Sequence, residues 1–454
     1  MSKREHLLKI GVSGIRGVVG EFLTPALACA FAQAFGTYTG RGRVILGRDT
    51  RSSGPMLEHA VTCGLLSAGC DVVQVGVLPT PTIQMYVAAT GALGGIALTA
   101  SHNPPEYNAL KLFNEQGQFF NHYERGELID LFHQGEFTDA GNFGLGSISQ
   151  EYSTPARMHF DRVLKCVNRD RIRQRNFHAA IDAVNGAGSI LTPHFLEQEL
   201  GCRLEAISVD PTQPFPREAE PTPQSLGDLK ELMKRTGAEI GFAQDPDGDR
   251  LAVAKPDGTL LDNDEVLALV VDAVLSRMPG NVVVNLTSSS VIDEVAAWHG
   301  CKVFRSAVGE ANVVERMLAH KAVIGGEGSN GGIIFPTVHY CRDSYTGMAF
   351  LLDRMAETGL GITELAARLP KFYRVSTKVP FQHGRLAGII QATEARFPDA
   401  KADRTDGLKL IWPDGAWLHV RGSNTEPLMR LSVESRDAER TQVLMKAGTD
   451  ILGS

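Results

Sequence analysis

Residues 43–100 read RVILGRDTRSSGPMLEHAVTCGLLSAGCDVVQVGVLPTPTIQMYVAATGALGGIALTA. Apolar and amphipathic runs alternate through this stretch. RVILG (43–47) is short, apolar and β-branched, the pattern of a strand buried on both faces. Residues 53–68 read as a helix, DVVQVGVL (71–78) as a strand, 81–90 as a helix and GIALTA (95–100) as a third strand. Strands separated by helices imply crossover connections, so the segment predicts a mainly parallel α/β sheet. Upstream, Thr24-Pro25 has the form of an N-cap and first helical residue, with an Ala-rich helix running to about Thr37.

The pattern restarts twice. AAIDAV (179–184), a helix at 190–200, RLEAISV (203–209), a helix at 225–236 and AEIGFA (238–243) make a second set. A helix at 263–277, NVVVNL (281–286), a helix at 290–299, CKVFRS (301–306), a helix at 310–320 and AVIGG (322–326) make a third. The tail differs. VSTKVPF, a helix near 384–396, LKLIW, AWLHVRG and LMRLSVES predict a small α+β unit with an antiparallel sheet. The expected division is 1–150, 151–257 and 258–370, all α/β, and 371–454, α+β. A chain of 454 residues has room for three or four such units.

Hydrophobic residues make up 43% and charged residues 21%, ordinary for a globular chain. Lys+Arg 45 against Asp+Glu 52 gives a net charge of −7, which argues against a nucleic-acid or anionic-membrane binder. It leaves open a small anion held by a few local cations. The seven cysteines are scattered without C-x-x-C spacing, so they are expected to be reduced thiols. The N-terminal stretch shows no apolar signal-peptide core, and no run of about 20 apolar residues could span a bilayer. A cytoplasmic location is the expectation.

Four segments carry chemistry. TASHNPPEYNALK (99–111) follows a strand, and Pro104-Pro105 stop that strand from continuing. Ser101 is thus presented where α/β proteins place active sites, with His102 beside it and Lys111 further on. A capping turn accounts for the same residues, and no G-x-S-x-G elbow supports a hydrolase triad. DPDGDR (245–250) alternates Asp245, Asp247 and Asp249, so an extended loop aims three carboxylates one way. Such a group needs a cation, and hard oxygen ligands on a short loop suit Mg²⁺. Arg250 and Pro256 stand where an EF-hand loop needs Gly and Glu. GGEGSNGG (325–332) lets Glu327, Ser329 and Asn330 approach a hydroxylated ligand closely, although a plain glycine turn would read alike. RGSNTEPLMR (421–430) groups Arg421, Ser423, Asn424, Thr425 and Arg430 as donors for an anion, or as a capped hairpin. GVSGIRG (11–17) and GRDTRSSG (47–54) add Arg16, Arg48 and Arg51, each weak alone.

Taken together and in this order, GVSGIRG, TASHNPPEYNALK, DPDGDR, GGEGSNGG and RGSNTEPLMR resemble the α-D-phosphohexomutase superfamily over essentially the whole chain. The resemblance implies three related α/β domains and a different C-terminal domain around a central cleft. It implies that Ser101 is a phosphoserine that gives and takes a phosphoryl group. Asp245, Asp247 and Asp249 resemble Mg²⁺ ligands, with a phosphate oxygen on Ser101 completing the shell. Glu327 and Ser329, with Asn330, match a sugar-binding loop. Arg421, Ser423, Asn424, Thr425 and Arg430 match a grip for the non-reacting phosphate. Arg16, His102, Lys111 and Arg250 correspond to residues around the transferring phosphate, His102 and Lys111 being acid/base candidates. The implied ligands are a sugar phosphate and a bisphosphorylated sugar intermediate. GEGSNGG departs from the usual G-E-x-S-G, and Glu310 stands where many phosphomannomutase relatives place a His. These features resemble the phosphoglucosamine mutase branch, with glucose or mannose phosphate as the alternative. A non-catalytic sugar-phosphate-binding paralogue and a metal-dependent phosphatase are the competing classes.

Overall fold

A computed structural model describes residues 9–11, 14–380, 385–422 and 428–453. They form four sheets, each with its own helices. In the first, the strands run in the order Lys9–Gly11, Gly14–Val18, Tyr107–Phe113, Gly94–Leu98, Arg43–Arg48, Asp71–Val77 and Ile148–Gln150. Arg43–Arg48 lies between two parallel neighbours, Asp71–Val77 and Gly94–Leu98, as the alternation in 43–100 implies. Thr24 caps the helix Pro25–Thr39 by accepting a hydrogen bond from Leu27 N–H, with Pro25 in the first turn.

The parallel reading needs one correction. Tyr107–Phe113 returns antiparallel beside Gly94–Leu98, and Gly14–Val18 pairs antiparallel beyond it. The reason is local. Prolines 104 and 105 close a turn in which Tyr107 N–H donates to Pro104 O, so the chain folds back instead of crossing over. Lys111 therefore sits on a strand opposite Ala97, with Ser101 in the loop the two strands share.

The second sheet places His178–Asp182 between parallel Arg203–Ile207 and Ile240–Gln244, with Leu251–Ala254 antiparallel at its edge. The third repeats the plan. Val282–Asn285 lies between parallel Val303–Ser306 and Ile324–Glu327, and Gly332–Ile334 is antiparallel at the edge. In both, a chemically loaded segment joins the last parallel strand to the antiparallel one: 245–250 in the second sheet, 328–331 in the third. The fourth sheet is antiparallel throughout, five strands from Tyr373–Pro380 to Lys401–Asp403, covered by the helix Ala438–Gly453.

One apolar core runs through the second and third units. Phe160, Phe195 and Tyr345 pack ring to ring within it, and the helix Ser344–Thr358 is buried along most of its length. This continuity fixes the two loops relative to each other. The seven cysteines are free, as expected. No helix among the described residues is long and apolar enough to cross a membrane.

Candidate active site

Ser101 follows the strand Gly94–Leu98 and takes a left-handed backbone conformation with φ +50°. For a residue with a Cβ that costs about 1–2 kcal/mol, so the surroundings must hold it. Arg51 does so. Arg51 is 3% exposed, and its guanidinium donates to four carbonyls of the loop: Ser101 at 2.6 Å, Asn103 at 2.8 Å, Pro104 at 2.6 Å and Tyr107 at 3.1 Å. Its Nε pairs with Asp49 at 3.0 Å. Asp49 also accepts from Thr99 Oγ1 at 2.7 Å, and Thr99 Oγ1 accepts from Ser101 N–H at 3.0 Å. The loop is clamped on both sides by one ion pair.

The Ser101 hydroxyl donates to Asp245 Oδ2 at 2.8 Å, across 144 residues of sequence. Asp245, Asp247 and Asp249 are buried, and one oxygen from each lies within 4.8 Å of the others. The turn carrying them depends on Gly248, which has φ +66° and donates its N–H to Asp245 O at 3.0 Å. Lys111 donates to Asp247 at 2.5 Å and to Asp249 at 3.4 Å, Thr80 donates to Asp247 at 2.6 Å, and Arg342 donates to Asp249 at 2.7 Å.

Burial, followed by the like charges of Asp247 and Asp249, raises the Asp245 carboxyl well above the ordinary range. Burial opposes ionisation of Asp247 too, but Lys111 and the Thr80 hydroxyl hold it below that range. Burial likewise works against the Lys111 ammonium, and Asp247 and Asp249 more than offset it, so Lys111 stays charged. Asp247 Oδ1 and Asp249 Oδ1 remain buried with no hydrogen-bond partner. Two orphaned carboxylate oxygens beside a third carboxylate fit a hard divalent cation.

Ser101, His102, Lys111, Arg16, Arg250 and Glu327 all line one cavity of about 150 Å³, together with Arg342 and Glu310. Four cations and two carboxylates thus face this space, against the negative sign of the whole chain. Arg16 donates to Asn103 at 2.6 Å, tying the reactive loop to the strand Gly14–Val18. Arg250 Nη2 approaches His102 Nδ1 at 2.9 Å. That guanidinium, with burial and Arg16, pushes the His102 imidazole down to about 2, so His102 is neutral.

Glu327 is 2% exposed and firmly held: Asn285 donates at 3.0 Å, Gly309 N–H at 2.8 Å and Arg342 at 3.2 Å. The next residue must be glycine, because a Cβ at Gly328 would lie 1.7 Å from Asp264 Oδ1. Ser329 and Asn330 line a second cavity of about 380 Å³ with Arg421, Arg430, Lys378 and Arg374. Val308 borders the second cavity and Gly309 the first, so one loop separates them. Ser423, Asn424 and Thr425 lie outside the described residues.

Four family models match in sequence order: the phosphoglucomutase/phosphomannomutase alpha/beta/alpha domain I at 7–139, domain II at 157–258, domain III at 262–373 and the C-terminal domain at 383–447. The chain belongs to the phosphoglucomutase/phosphomannomutase family. It is a phosphohexomutase, a phosphotransferase of the isomerase class. A phosphoglucomutase/phosphomannomutase of Thermococcus kodakarensis is 37% identical, covering 97% of this chain and 98% of its own length. A probable phosphoglucosamine mutase of Methanopyrus kandleri is 38% identical, covering 97% of each. Among solved structures, a family protein from Burkholderia thailandensis superposes with a TM-score of 0.86 at 27% identity, covering 100% of this chain and 98% of that one.

Sequence reasoning missed several residues of this phosphohexomutase site. Arg342 pairs with Asp249, Glu310 and Glu327 at 2.7, 2.9 and 3.2 Å, joining the acidic turn to the glycine loop. The only local clue is Asp343, which caps the helix Ser344–Thr358 and so marks a loop-to-helix junction. Thr80 and Lys378 lie in segments without any motif. Arg51 was visible only as one weak arginine, since its four carbonyl partners are a matter of tertiary structure.

Proposed function

We propose that this phosphohexomutase interconverts the 6-phosphate and 1-phosphate of a hexosamine, glucosamine first, through phospho-Ser101 and a bisphosphorylated sugar. The observation that carries the reading is the 2.8 Å hydrogen bond from Ser101 to Asp245, within a cavity lined by Arg16, Lys111 and Arg250. A serine hydroxyl against a triad of carboxylates, with no histidine base on its oxygen, does not fit a hydrolase triad. It suits a phosphoserine beside carboxylates that would hold a divalent cation.

Asp245, Asp247 and Asp249 would hold Mg²⁺, whose chemistry is to neutralise charge on the transferring phosphoryl group. Phosphoryl transfer needs little covalent help and much charge neutralisation. Arg16, Arg250 and Lys111 supply it from the protein. His102, held neutral by Arg250, adds no charge and keeps Arg250 oriented. Phospho-Ser101 gives its phosphoryl group to the free hydroxyl of a bound sugar monophosphate: the Ser101 Oγ–P bond breaks as the P–O bond to the sugar forms, and the hydroxyl proton ends on Ser101 Oγ. The resulting bisphosphate turns over in the cleft, and its other phosphate returns to Ser101. Arg421, Arg430 and Lys378 in the second cavity grip whichever phosphate is not reacting, and Ser329 and Asn330 meet ring hydroxyls between the two ends. Glu327 sets the sugar-facing loop through Gly309.

The GEGSNGG loop and the Methanopyrus relative favour glucosamine phosphate. The Thermococcus relative favours glucose or mannose phosphate as the second reading. A coupled assay comparing kcat/KM for glucosamine 6-phosphate, glucose 1-phosphate and mannose 1-phosphate decides between them. Intact mass should show one phosphate on Ser101, and Ser101→Ala should abolish turnover. Undiminished turnover by that variant ends the phosphoserine reading.

A further inference from the structure

Glu310 opens the helix Glu310–His320 and lines the same cavity as Ser101, Lys111 and Phe119. It is only 6% exposed. No step above uses it. Its carboxylate is lightly occupied. Arg342 Nε lies 2.9 Å from Oε2 but out of hydrogen-bond alignment, and Gln84 reaches Oε1 at 3.4 Å. Arg342 divides itself among three carboxylates. A carboxylate can accept about four hydrogen bonds, so Glu310 keeps acceptor capacity beside the cavity.

Unlike Glu327, which three protein donors hold, Glu310 is countered only by an Arg342 shared with two other carboxylates, so a positive group on the ligand would complete its pairing. Burial pushes the Glu310 carboxyl up to about 7 against the pull of Arg342, so an arriving cation would hold it ionised. Beside its phosphate, a hexose phosphate brings only hydroxyls. A hexosamine phosphate brings an ammonium at C2, one bond from C1. When C1 faces Ser101, the C2 substituent enters the same cavity.

We infer that Glu310 reads the C2 ammonium of a hexosamine phosphate in the orientation that brings C1 to Ser101, and so sets the preference for amino sugars over their hydroxyl counterparts. This rests on the phosphoserine and substrate reading above. The physical basis is that a buried polar group left without its partner penalises the ligand lacking that partner.

The test is Glu310→Gln, which keeps shape and removes charge, assayed as kcat/KM on glucosamine 6-phosphate and glucose 1-phosphate. A tenfold or larger fall in the ratio of kcat/KM for the amino sugar to that for glucose phosphate is expected. N-acetylglucosamine 6-phosphate, whose amide is neutral, should respond like glucose phosphate. Should the glutamine variant fail to fold, Glu310→Asp keeps the charge but pulls the carboxylate back by one methylene from the C2 position, and the same loss confined to the amino sugar is expected. Equal losses on both sugars overturn the inference, since they mean that Glu310 only braces Arg342. A glucosamine preference that survives either variant also overturns it and leaves the substrate reading intact. Wild-type turnover of glucose phosphate with none of glucosamine phosphate overturns the substrate reading itself, and the role of Glu310 with it.

Discussion

Arg51→Lys isolates the clamp on the reactive loop. Lysine keeps the charge beside Asp49 but loses the planar fork that reaches four carbonyls at once. From one ammonium, two of those bonds at best survive. Each hydrogen bond to a charged donor contributes about 1.5–3 kcal/mol, so losing two removes about 3 kcal/mol or more from the loop's native conformation. Ser101 stores about 1–2 kcal/mol of backbone strain at φ +50°, and relaxing that strain favours an alternative loop. A net change of about 3 kcal/mol cuts the population of the competent loop roughly 100-fold. Arg51 lines neither cavity described above. The expected signature is therefore a kcat about 100-fold lower with KM for the sugar phosphate moved less than threefold. Steady-state kinetics give both constants, and a single-turnover measurement of phosphoryl transfer to and from Ser101 identifies the step. A variant with lowered melting temperature but wild-type kcat would show that Arg51 only stabilises, and a change confined to KM would place its effect on binding. Either result refutes the clamp.

Asp247→Asn removes a carboxylate whose Oδ1 is buried and unsatisfied. Mg²⁺ affinity by calorimetry should fall at least tenfold, and wild-type affinity would remove the triad from the metal site. Asp264 is fully buried beside Arg374, and burial raises its carboxyl from the ordinary range to about 6. Its folded value lies above its unfolded one, so its contribution to stability is complete below the unfolded value and declines as pH rises through about 6. The stability of wild type relative to Asp264→Asn should thus fall by about 1 kcal/mol between pH 5 and 7. Paired urea denaturation curves at both pH values test this, and a flat or rising difference contradicts the assignment.

The α/β architecture was readable because strand and helix patterning is local. The strand RVILG, the cap at Thr24 and the two restarts all announce themselves within a dozen residues. The antiparallel return of Tyr107–Phe113 did not. Its apolar run is compatible with either direction, and only the turn at Pro104 decides it. The same division holds at the site. Ser101 and the three aspartates stand in compact motifs, and the structure brings Asp245 to the Ser101 hydroxyl. Arg342, Thr80 and the partners of Arg51 are joined to those motifs over 93, 167 and about 50 residues of chain. Side-chain contacts at that range leave no periodicity behind. Glu310 was noticed as an unusual residue type, but its place in the reaction cavity is visible only in three dimensions.

The wiring of the acidic turn has a consequence for how the protein is made. Lys111 leaves the ribosome well before Asp249, whereas Arg342 follows Asp249 by 93 residues. At about 5–20 residues per second, that delay is on the order of 5–20 s. Throughout it, three carboxylates that repel one another are balanced by Lys111 and Arg250 without their third cation. The second unit therefore reaches its finished electrostatic state only after the third has been synthesised as far as Arg342. A nascent chain stalled between the two carries an acidic turn with an incomplete set of counter-charges, so completion of this turn is timed by translation of a later part of the same message.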